Sequence, residues 1–301
     1  MRERYYGAGA AAVVADSERV HARRLAEIAD AAVEAHEGRG MRTVLVSGPS
    51  SSGKTTFAQR LGCLLEARGL QPVAISTDDY FVDRDKTPLD EFGQPDFECV
   101  DAVDLPLFNE QLRTLNAGGE VTLPVFDFIT GTRMWRPAPL RLAENSVMII
   151  EGLHSLNPRL TEMVDDNAKL RIFISCLTAA ESSDGERIST FDVRLLRRTV
   201  RDAAKRGHSA AATIAQWPSV RRGEDRYVFP YLGDADTTFD SSLRYELSVL
   251  RPLAEPMLRS VAADAAERAE AERLLGILSH FAPMEASVVP ADSLLKEFAG
   301  L

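Results

Sequence analysis

The chain has 301 residues, of which 45% are hydrophobic, and a formal net charge of -10. This hydrophobic content suffices for a well-buried core in one large α/β domain or in a domain with appendages. The negative net charge disfavours a general electrostatic grip on nucleic acid or on an anionic membrane. We therefore expect a globular protein that acts on a small molecule, with neither nucleic acid nor a membrane as its partner.

The cysteines and the N-terminal region bear on the cellular compartment. Cys63, Cys99 and Cys176 form no C-x-x-C pair, so neither a disulfide framework nor a zinc site is indicated. Residues 7–15 faintly resemble a signal peptide, but the stretch is short, rich in Ala and without Leu. No apolar run reaches the length of a membrane span. A cytoplasmic location is expected.

The first half of the chain alternates predicted helices and strands. Residues 16–36 have apolar side chains at helical spacing and predict one amphipathic helix. Residues 41–48 (MRTVLVSG) predict a buried strand that leads directly into a glycine-rich turn and a helix over 55–69. A second strand over 72–76 and a helix over 105–119 follow. This alternation predicts a parallel sheet flanked by helices.

The second half continues the alternation after a short hairpin. The hairpin is predicted for 121–128 with a turn at Thr130 and Gly131. The later elements are predicted strands at 146–152 and 170–175 and predicted helices at 190–206, 241–261 and 263–281.

The strongest motif is GPSSSGKT at 48–55, which matches G-x-x-x-x-G-K-[ST] between a predicted strand and a predicted helix. Glycines let the backbone wrap a phosphate, while the amides and the helix N-terminus point at its negative charge. Lys54 should reach the β and γ oxygens, and Thr55 should bind Mg²⁺. A chance Gly/Ser-rich loop is the alternative. The predicted ATP-binding residues here are Gly48, Pro49, Ser50, Ser51, Ser52, Gly53, Lys54, Thr55 and Thr56.

Acidic residues follow two of the predicted strands. Asp78 and Asp79 come directly after the second strand, and Glu151 ends the apolar run 147–150. Sheets of α/β proteins bind ligands at this carboxyl edge. Asp78 could accept the proton of an attacking hydroxyl or hold Mg²⁺ through water, and Glu151 could steady the metal ion. Alternatively, the two aspartates cap the following turn and Glu151 is an ordinary strand-end residue.

Four arginines fall on adjacent turns of the predicted helix at 190–206, namely Arg194, Arg197, Arg198 and Arg201. Arginine pairs phosphate oxygens through two parallel hydrogen bonds. Such a helix could be a mobile arm that closes over the transferring phosphate. A solvated basic helix face is the alternative.

Seven stretches in order resemble the uridine kinase and phosphoribulokinase family, from about residue 41 to the C-terminus. They are GPSSSGKTTFAQRL, STDDYFVDRDKTPLDEFGQPDFE, LPVFDFITGTR, IIEGLHSLNPRL, ISTFDVRLLRRTVRDAAKRGHSA, WPSVRRGED and FPYLGDADTTFDSSLRYEL. The bacterial nucleoside kinase branch, often fused to threonyl-tRNA-synthetase-like N-terminal domains, is the most similar. The resemblance implies a three-layer α/β P-loop NTPase fold with a parallel five-stranded sheet, a small hairpin over the substrate site and a helical lid.

The resemblance also implies a domain organisation. A kinase domain is expected over 41–262, with the lid at about 186–226. Helical extensions are expected at 1–40 and 263–301. Relatives often form homo-oligomers, and the resemblance suggests the same for this chain.

Individual roles follow from the resemblance as well. Asp78 would be the general base toward a ribose 5′-hydroxyl, and Lys54 would assist catalysis. Glu98 would hold the ribose hydroxyls in place of the more usual aspartate. Three arginines would contact ATP phosphates or the substrate, namely Arg198, Arg201 and Arg206. The remaining expected substrate-side residues are Phe126, Arg133, His208 and Gln216.

Three departures from the family pattern fall on base-binding positions. Phe126 replaces a tyrosine, Gly131 replaces a histidine and His208 replaces an arginine. Buried hydrogen bonds carry most discrimination between bases, so these changes weaken the expectation of pyrimidine specificity. Gly131 should leave room for a larger base or a different ring, and His208 could equally be a polar loop residue.

The leading hypothesis is transfer of the γ-phosphoryl group of ATP, with Mg²⁺, to a nucleoside 5′-hydroxyl. Phosphorylation of another hydroxyl metabolite, such as a sugar phosphate, is a second hypothesis, because phosphoribulokinase belongs to the same family. A nucleotide-dependent regulatory or RNA-associated module is a third, although the acidic charge disfavours RNA binding.

Overall fold

The computed structural model describes residues 8–128, 130–182 and 184–299, so the ends of both expected extensions lie outside the described residues. The helices are α1 (Ala8–Arg39), α2 (Lys54–Glu66), α3 (Leu105–Asn116), α4 (Thr190–Arg206), α5 (Ala210–Tyr227), α6 (Glu246–Arg259), α7 (Arg268–Ser279) and α8 (Lys296–Ala299). The strands are β1 (Thr43–Ser47), β2 (Gln71–Ser76), β3 (Glu120–Val121), β4 (Pro124–Asp127), β5 (Thr132–Trp135), β6 (Leu140–Arg141), β7 (Ser146–Glu151), β8 (Lys169–Ser175), β9 (Ala180–Glu181), β10 (Arg187–Ile188) and β11 (Thr237–Asp240).

The central sheet has five parallel strands in the order β11-β8-β1-β7-β2. It confirms the predicted parallel sheet. Because β1 lies in the middle, the loop that follows it emerges between β7 and β8 at the carboxyl edge. Ser76 of β2 is paired in register with Glu151 of β7, so the residues that follow these two strands lie side by side.

Helices cover both faces of the sheet, and the side chains of β1 alternate between them. Val44 and Val46 enter one apolar cluster with residues of α1, α2, α4, α6 and α7. Leu45 enters a second cluster with Phe108 and Leu112 of α3. A parallel strand buried on both faces carries an unbroken apolar run, as residues 44–46 do. The three-layer α/β fold is thereby confirmed.

Several element boundaries differ from the sequence prediction. The first helix begins at Ala8 rather than at 16, while α6 and α7 begin five residues later than predicted. The segment before α6 is occupied partly by β11, a short strand of mixed polarity whose Phe239 is its one buried residue. Such a strand has no long apolar run to mark it. The predicted hairpin is present as β4 paired with β5.

Three arginines of α4 are buried, namely Arg194, Arg197 and Arg198, which a solvated basic face does not account for. Arg194 and Arg197 are 1% and 0% exposed. Arg194 Nη2 donates to Glu224 Oε2 of α5 at 2.8 Å, and Arg197 Nε donates to Glu246 Oε2 of α6 at 2.7 Å. The alternative of a solvated basic helix face is therefore wrong at these positions, whereas the closing of this helix over the transferring phosphate stays a prediction. The start of the expected lid is part of the core.

The described residues of both extensions join the main core. Leu25 and Ile28 of α1 pack in the same cluster as Val44, and so do Leu294 and Phe298 near the C-terminus. No helix within the described ranges combines the length and the apolarity needed to cross a membrane.

We predict that Glu246→Ala lowers the free energy of unfolding by about 3–5 kcal/mol, because it leaves the buried Arg197 guanidinium without its carboxylate. The matched control is Glu272→Ala, which removes an exposed partner of Arg268 and should cost at most about 1 kcal/mol. Urea unfolding measures both. Equal effects would contradict a dominant role for the buried pair.

Candidate active site

The loop 48–53 wraps tightly because two glycines permit it. A Cβ atom on Gly48 would lie 1.9 Å from the carbonyl oxygen of Ile174, so only glycine fits against β8. Gly53 has φ +95°, in the left-handed region that favours glycine. Ser51 also has positive φ, at 58°. The hydroxyls of Ser51 and Ser52 are buried and, within the described residues, make no hydrogen bond. The loop thus has the shape of a phosphate cradle.

Side chains of α4 and α5 make hydrogen bonds to this loop. Glu224 Oε1 accepts from the Ser50 amide at 2.9 Å, and Arg194 Nη1 donates to the Ser50 carbonyl at 2.9 Å. Arg198 Nη1 donates to Ser50 Oγ at 2.7 Å, and Arg197 Nη1 donates to the carbonyl of Ser51 at 3.3 Å. The buried ion pair between Arg194 and Glu224 therefore joins α4 to α5 and also fixes the backbone of the loop.

Lys54 is the cation at the centre of the site. Its Nζ donates to the carbonyls of Gly48 and Pro49 at 2.9 and 3.1 Å. Burial lowers the pKa of Lys54, and the negative charges of Glu151 and Asp78 oppose that change. The structure thus brings together the loop lysine, Asp78 after β2 and Glu151 at the end of β7.

Asp78 and Asp79 have different environments in the turn after β2. Asp79 accepts from the amide of Phe126 at 3.3 Å and pairs with Arg136. In the described ranges, the Asp78 carboxylate makes no hydrogen bond, so no capping of the turn by this side chain is observed. Burial raises the pKa of Asp78, against the charges of Lys54 and Arg206. The Asp79 carboxylate is engaged by Phe126 and Arg136, whereas the Asp78 carboxylate is available to a ligand.

Glu151 has the surroundings that a magnesium ion would need. Its Oε1 accepts from Ser76 Oγ at 2.9 Å and lies 3.4 Å from Thr55 Oγ1. Burial and the neighbouring Asp78 charge raise the pKa of Glu151 to about 7. Mg²⁺ prefers oxygen ligands and keeps several waters, with one or two carboxylates and the substrate phosphates completing its shell. The oxygen donors present fit that ion.

Glu98 lies within electrostatic range of Lys54 and Asp78. Burial raises its pKa to about 7, opposed by the charge of Arg198. A Cβ atom on Gly223 of α5 would lie 2.3 Å from Glu98 Cβ, so this glycine lets the backbone of α5 approach Glu98 closely.

His154 is a buried residue of this region that sequence reasoning missed. It follows β7 and is 2% exposed, and burial and the charge of Lys54 lower its pKa to about 4. The imidazole is therefore neutral at neutral pH. The one available signal was its position three residues after Glu151.

Three arginines expected to bind ATP converge on one buried carboxylate. Arg198, Arg201 and Arg206 each lie 3.2–3.3 Å from an oxygen of Asp202, which is fully buried. The charges of Arg201 and Arg206 also act on Asp78. These guanidinium groups border the site, with Asp202 fixing their positions.

The β4–β5 hairpin carries an aromatic cluster next to the aspartate turn. The rings of Phe81, Phe126 and Phe128 pack edge to face with centroids 5.2–6.2 Å apart. Phe128 is 51% exposed. Arg133 of β5 pairs with Asp104 at 2.9 Å and donates to the carbonyl of Phe81, so it ties the hairpin to the turn.

The space beside Gly131 is filled. A Cβ atom there would lie 2.8–2.9 Å from atoms of the Arg84 side chain. Arg84 Nη2 also donates to the carbonyl of Phe128 at 2.6 Å. The prediction that Gly131 leaves room for a larger base is therefore wrong, because Arg84 lies where the larger side chain would be.

Two expected substrate residues stand apart from this cluster. His208 follows α4, and its amide donates to the carbonyl of Asp202 at 3.2 Å. Gln216 is exposed on α5. Across the described residues, neither side chain makes a hydrogen bond to Asp78 or Glu98.

Comparison with known proteins decides the family. Residues 43–247 match the Phosphoribulokinase / Uridine kinase family. The chain belongs to this family. A uridine kinase of Chloroflexus aggregans is 31% identical over 207 residues, which are 68% of this chain and 88% of that protein. A uridine kinase of Mycoplasma genitalium is 32% identical over 177 residues, or 59% of this chain and 74% of that one.

A solved structure has the same fold. It is described as a fructose transport system kinase of Silicibacter sp. TM1040, with a TM-score of 0.52 and 22% identity, and the match covers 71% of this chain and 98% of that one. As a member of the phosphoribulokinase and uridine kinase family, the chain is a P-loop phosphotransferase that uses ATP and acts on a hydroxyl group of a small molecule.

We predict that Glu98→Gln stabilises this kinase at high pH. The folded protein holds the Glu98 proton more tightly than the unfolded chain does, so the wild type loses stability as pH rises from about 4.5 to 7. The variant lacks this loss. Its free energy of unfolding relative to wild type should therefore increase by about 2 kcal/mol between pH 5 and 8. Urea unfolding at both pH values measures it.

Glu110→Gln on the exposed side of α3 is the control for that measurement. A pH-independent difference for Glu98→Gln would show that burial does not raise the pKa of this carboxyl.

Proposed function

We propose that the protein transfers the γ-phosphoryl group of ATP to the 5′-hydroxyl of a nucleoside. The observation that carries this proposal is the placement of the unbonded Asp78 carboxylate beside Lys54 at the mouth of the 48–55 loop. A base and a phosphate-binding cation on the two sides of one reacting centre are what phosphoryl transfer to a hydroxyl requires.

Each residue has a defined task in this reaction. The amides of 48–55 and Lys54 hold the phosphates of ATP. Asp78 accepts the proton of the acceptor hydroxyl as its oxygen bonds to the γ phosphorus, and the bond from that phosphorus to the ADP oxygen breaks. Arg201 and Arg206 neutralise charge on the transferring group. A partly buried Asp78 with a raised pKa suits a base that works near neutral pH.

Mg²⁺ would be held by Thr55 and Glu151 together with the phosphates. Bound there, the ion supplies charge neutralisation for the β and γ oxygens. Its positive charge would also keep Glu151 ionised, which the surrounding protein alone disfavours.

The acceptor side has two features that suit a nucleoside. Glu98 offers a carboxylate to hydroxyl groups, and the cluster of Phe81, Phe126 and Phe128 offers an aromatic surface for a ring. The relatives named above are uridine kinases, which supports the same substrate class.

Asp78→Asn should reduce kcat at least about 100-fold, because the amide cannot accept the proton. The dissociation constant of ATP should change little, since no loop amide donates a hydrogen bond to Asp78 within the described residues. The matched control is Asp79→Asn, whose carboxylate is occupied by the Phe126 amide and Arg136. Steady-state kinetics compare the three proteins. Equal losses in the two variants would eliminate Asp78 as the base.

The acceptor class is tested by incubating the protein with ATP and Mg²⁺ against separate panels of nucleosides and sugar phosphates. Mass spectrometry then detects any phosphorylated product. We expect a nucleoside 5′-monophosphate. Product from the sugar phosphates alone would replace the nucleoside by another hydroxyl metabolite, and ATP hydrolysis without any phosphorylated acceptor would contradict both.

A further inference from the structure

The C-terminal segment, defined as residues 284–299, reaches the nucleotide-binding loop although it lies beyond the family match at 43–247. Glu297 of α8 contacts Thr56, in the first turn of the helix α2 that follows the loop. Glu297 Oε2 accepts from the hydroxyl of Thr56 at 2.8 Å and lies 3.3 Å from the Thr56 amide nitrogen, which also donates to it. A carboxylate thus lies on the first turn of α2.

That position is the place where a P-loop binds phosphate. Backbone amides of the loop and of the following helix turn cradle the α and β phosphates, and the helix N-terminus favours negative charge. No residue of α2 itself places an acidic side chain in its first turn. Glu297 also acts electrostatically on Lys54 and Arg201. Its carboxylate therefore shares the positive surroundings that the donor phosphates need.

Buried side chains hold the segment in place. Leu294 and Phe298 are 1% and 0% exposed. Leu294 lies against the loop, since a Cβ atom on Gly53 would be 2.4 Å from its Cδ2. The Arg197 guanidinium lies 4.8 Å from the centre of the Phe298 ring. The same arginine that supports the loop thus also anchors the segment that carries Glu297.

We propose that Glu297 competes with the phosphates of the nucleotide donor for Thr56 and so sets the affinity of the site for nucleotide. The donor must displace the Glu297 carboxylate to reach the first turn of α2, while the buried anchors keep the segment docked. The proposal rests on the donor half of the proposed function and is independent of the acceptor. Acidic caps also stabilise helix N-termini, so the test must separate a cap from a competitor.

Isothermal titration of wild type, Glu297→Gln and Glu297→Ala with ADP and with inorganic tripolyphosphate, in the presence of Mg²⁺ and without any acceptor, provides that test. We expect Glu297→Ala to tighten binding of both ligands about tenfold, because a charge-assisted contact no longer has to be broken. Glu297→Gln should tighten binding less, since its amide oxygen can still accept from Thr56. Tripolyphosphate has neither nucleobase nor ribose, so a change in its affinity shows that Glu297 acts on the binding of the phosphates.

The matched control is Glu285→Ala, which removes the same charge from an exposed position of the same segment and should leave affinity within about twofold. A simple cap would appear as a lower melting temperature with unchanged affinity, and that result would overturn the proposal. Weaker binding in both Glu297 variants would overturn it too, because the carboxylate would then assist the donor. Absence of nucleoside phosphorylation would affect the acceptor assignment alone.

Discussion

The buried ion pair between Arg194 and Glu224 is the interaction on which the site depends. Placing two charges in the interior is costly unless nearly every donor and acceptor is satisfied. Here the Ser50 amide and carbonyl complete the hydrogen-bond network, and these hydrogen bonds offset the cost of burying the two charges. They also fix the loop that must wrap a triphosphate. The consecutive helices α4 and α5 are thereby joined to the turn after β1, which is distant from them in the chain. The loop amides are therefore preorganised, so the protein does not have to rearrange them when the nucleotide binds.

The same burial shapes the chemistry of the acidic residues. Asp78, Glu98 and Glu151 all have raised pKa values because each lies in a poorly solvated edge of the sheet close to other carboxylates. Lys54 is the cation that offsets them. A magnesium ion and the guanidinium groups around Asp202 would add positive charge on the phosphate side. The site is thus an acidic pocket, and the positive charges of a bound metal ion and of the bordering arginines would neutralise its carboxylates.

The sequence predicted those parts of the protein whose structure depends on residues close together in the chain. The loop at 48–55, the strands before Asp78 and Glu151, and the β4–β5 hairpin have their own signals in glycine placement and apolar runs. The buried state of Arg194 and Arg197, the Arg84 side chain beside Gly131, and the Glu297–Thr56 contact have none. Each joins residues that are 30 to 241 positions apart, so only the folded chain brings them together. The polar strand β11 was missed because its pairing with β8, rather than its composition, makes it a strand.

A crystal structure with Mg²⁺ and a non-hydrolysable ATP analogue would show whether the loop, Lys54 and Asp78 surround one reacting centre. We expect the triphosphate to lie within the loop at 48–55, with its terminal phosphate between the Lys54 ammonium and the Asp78 carboxylate. A triphosphate bound outside the loop, or an Asp78 side chain turned away from the terminal phosphate, would contradict it.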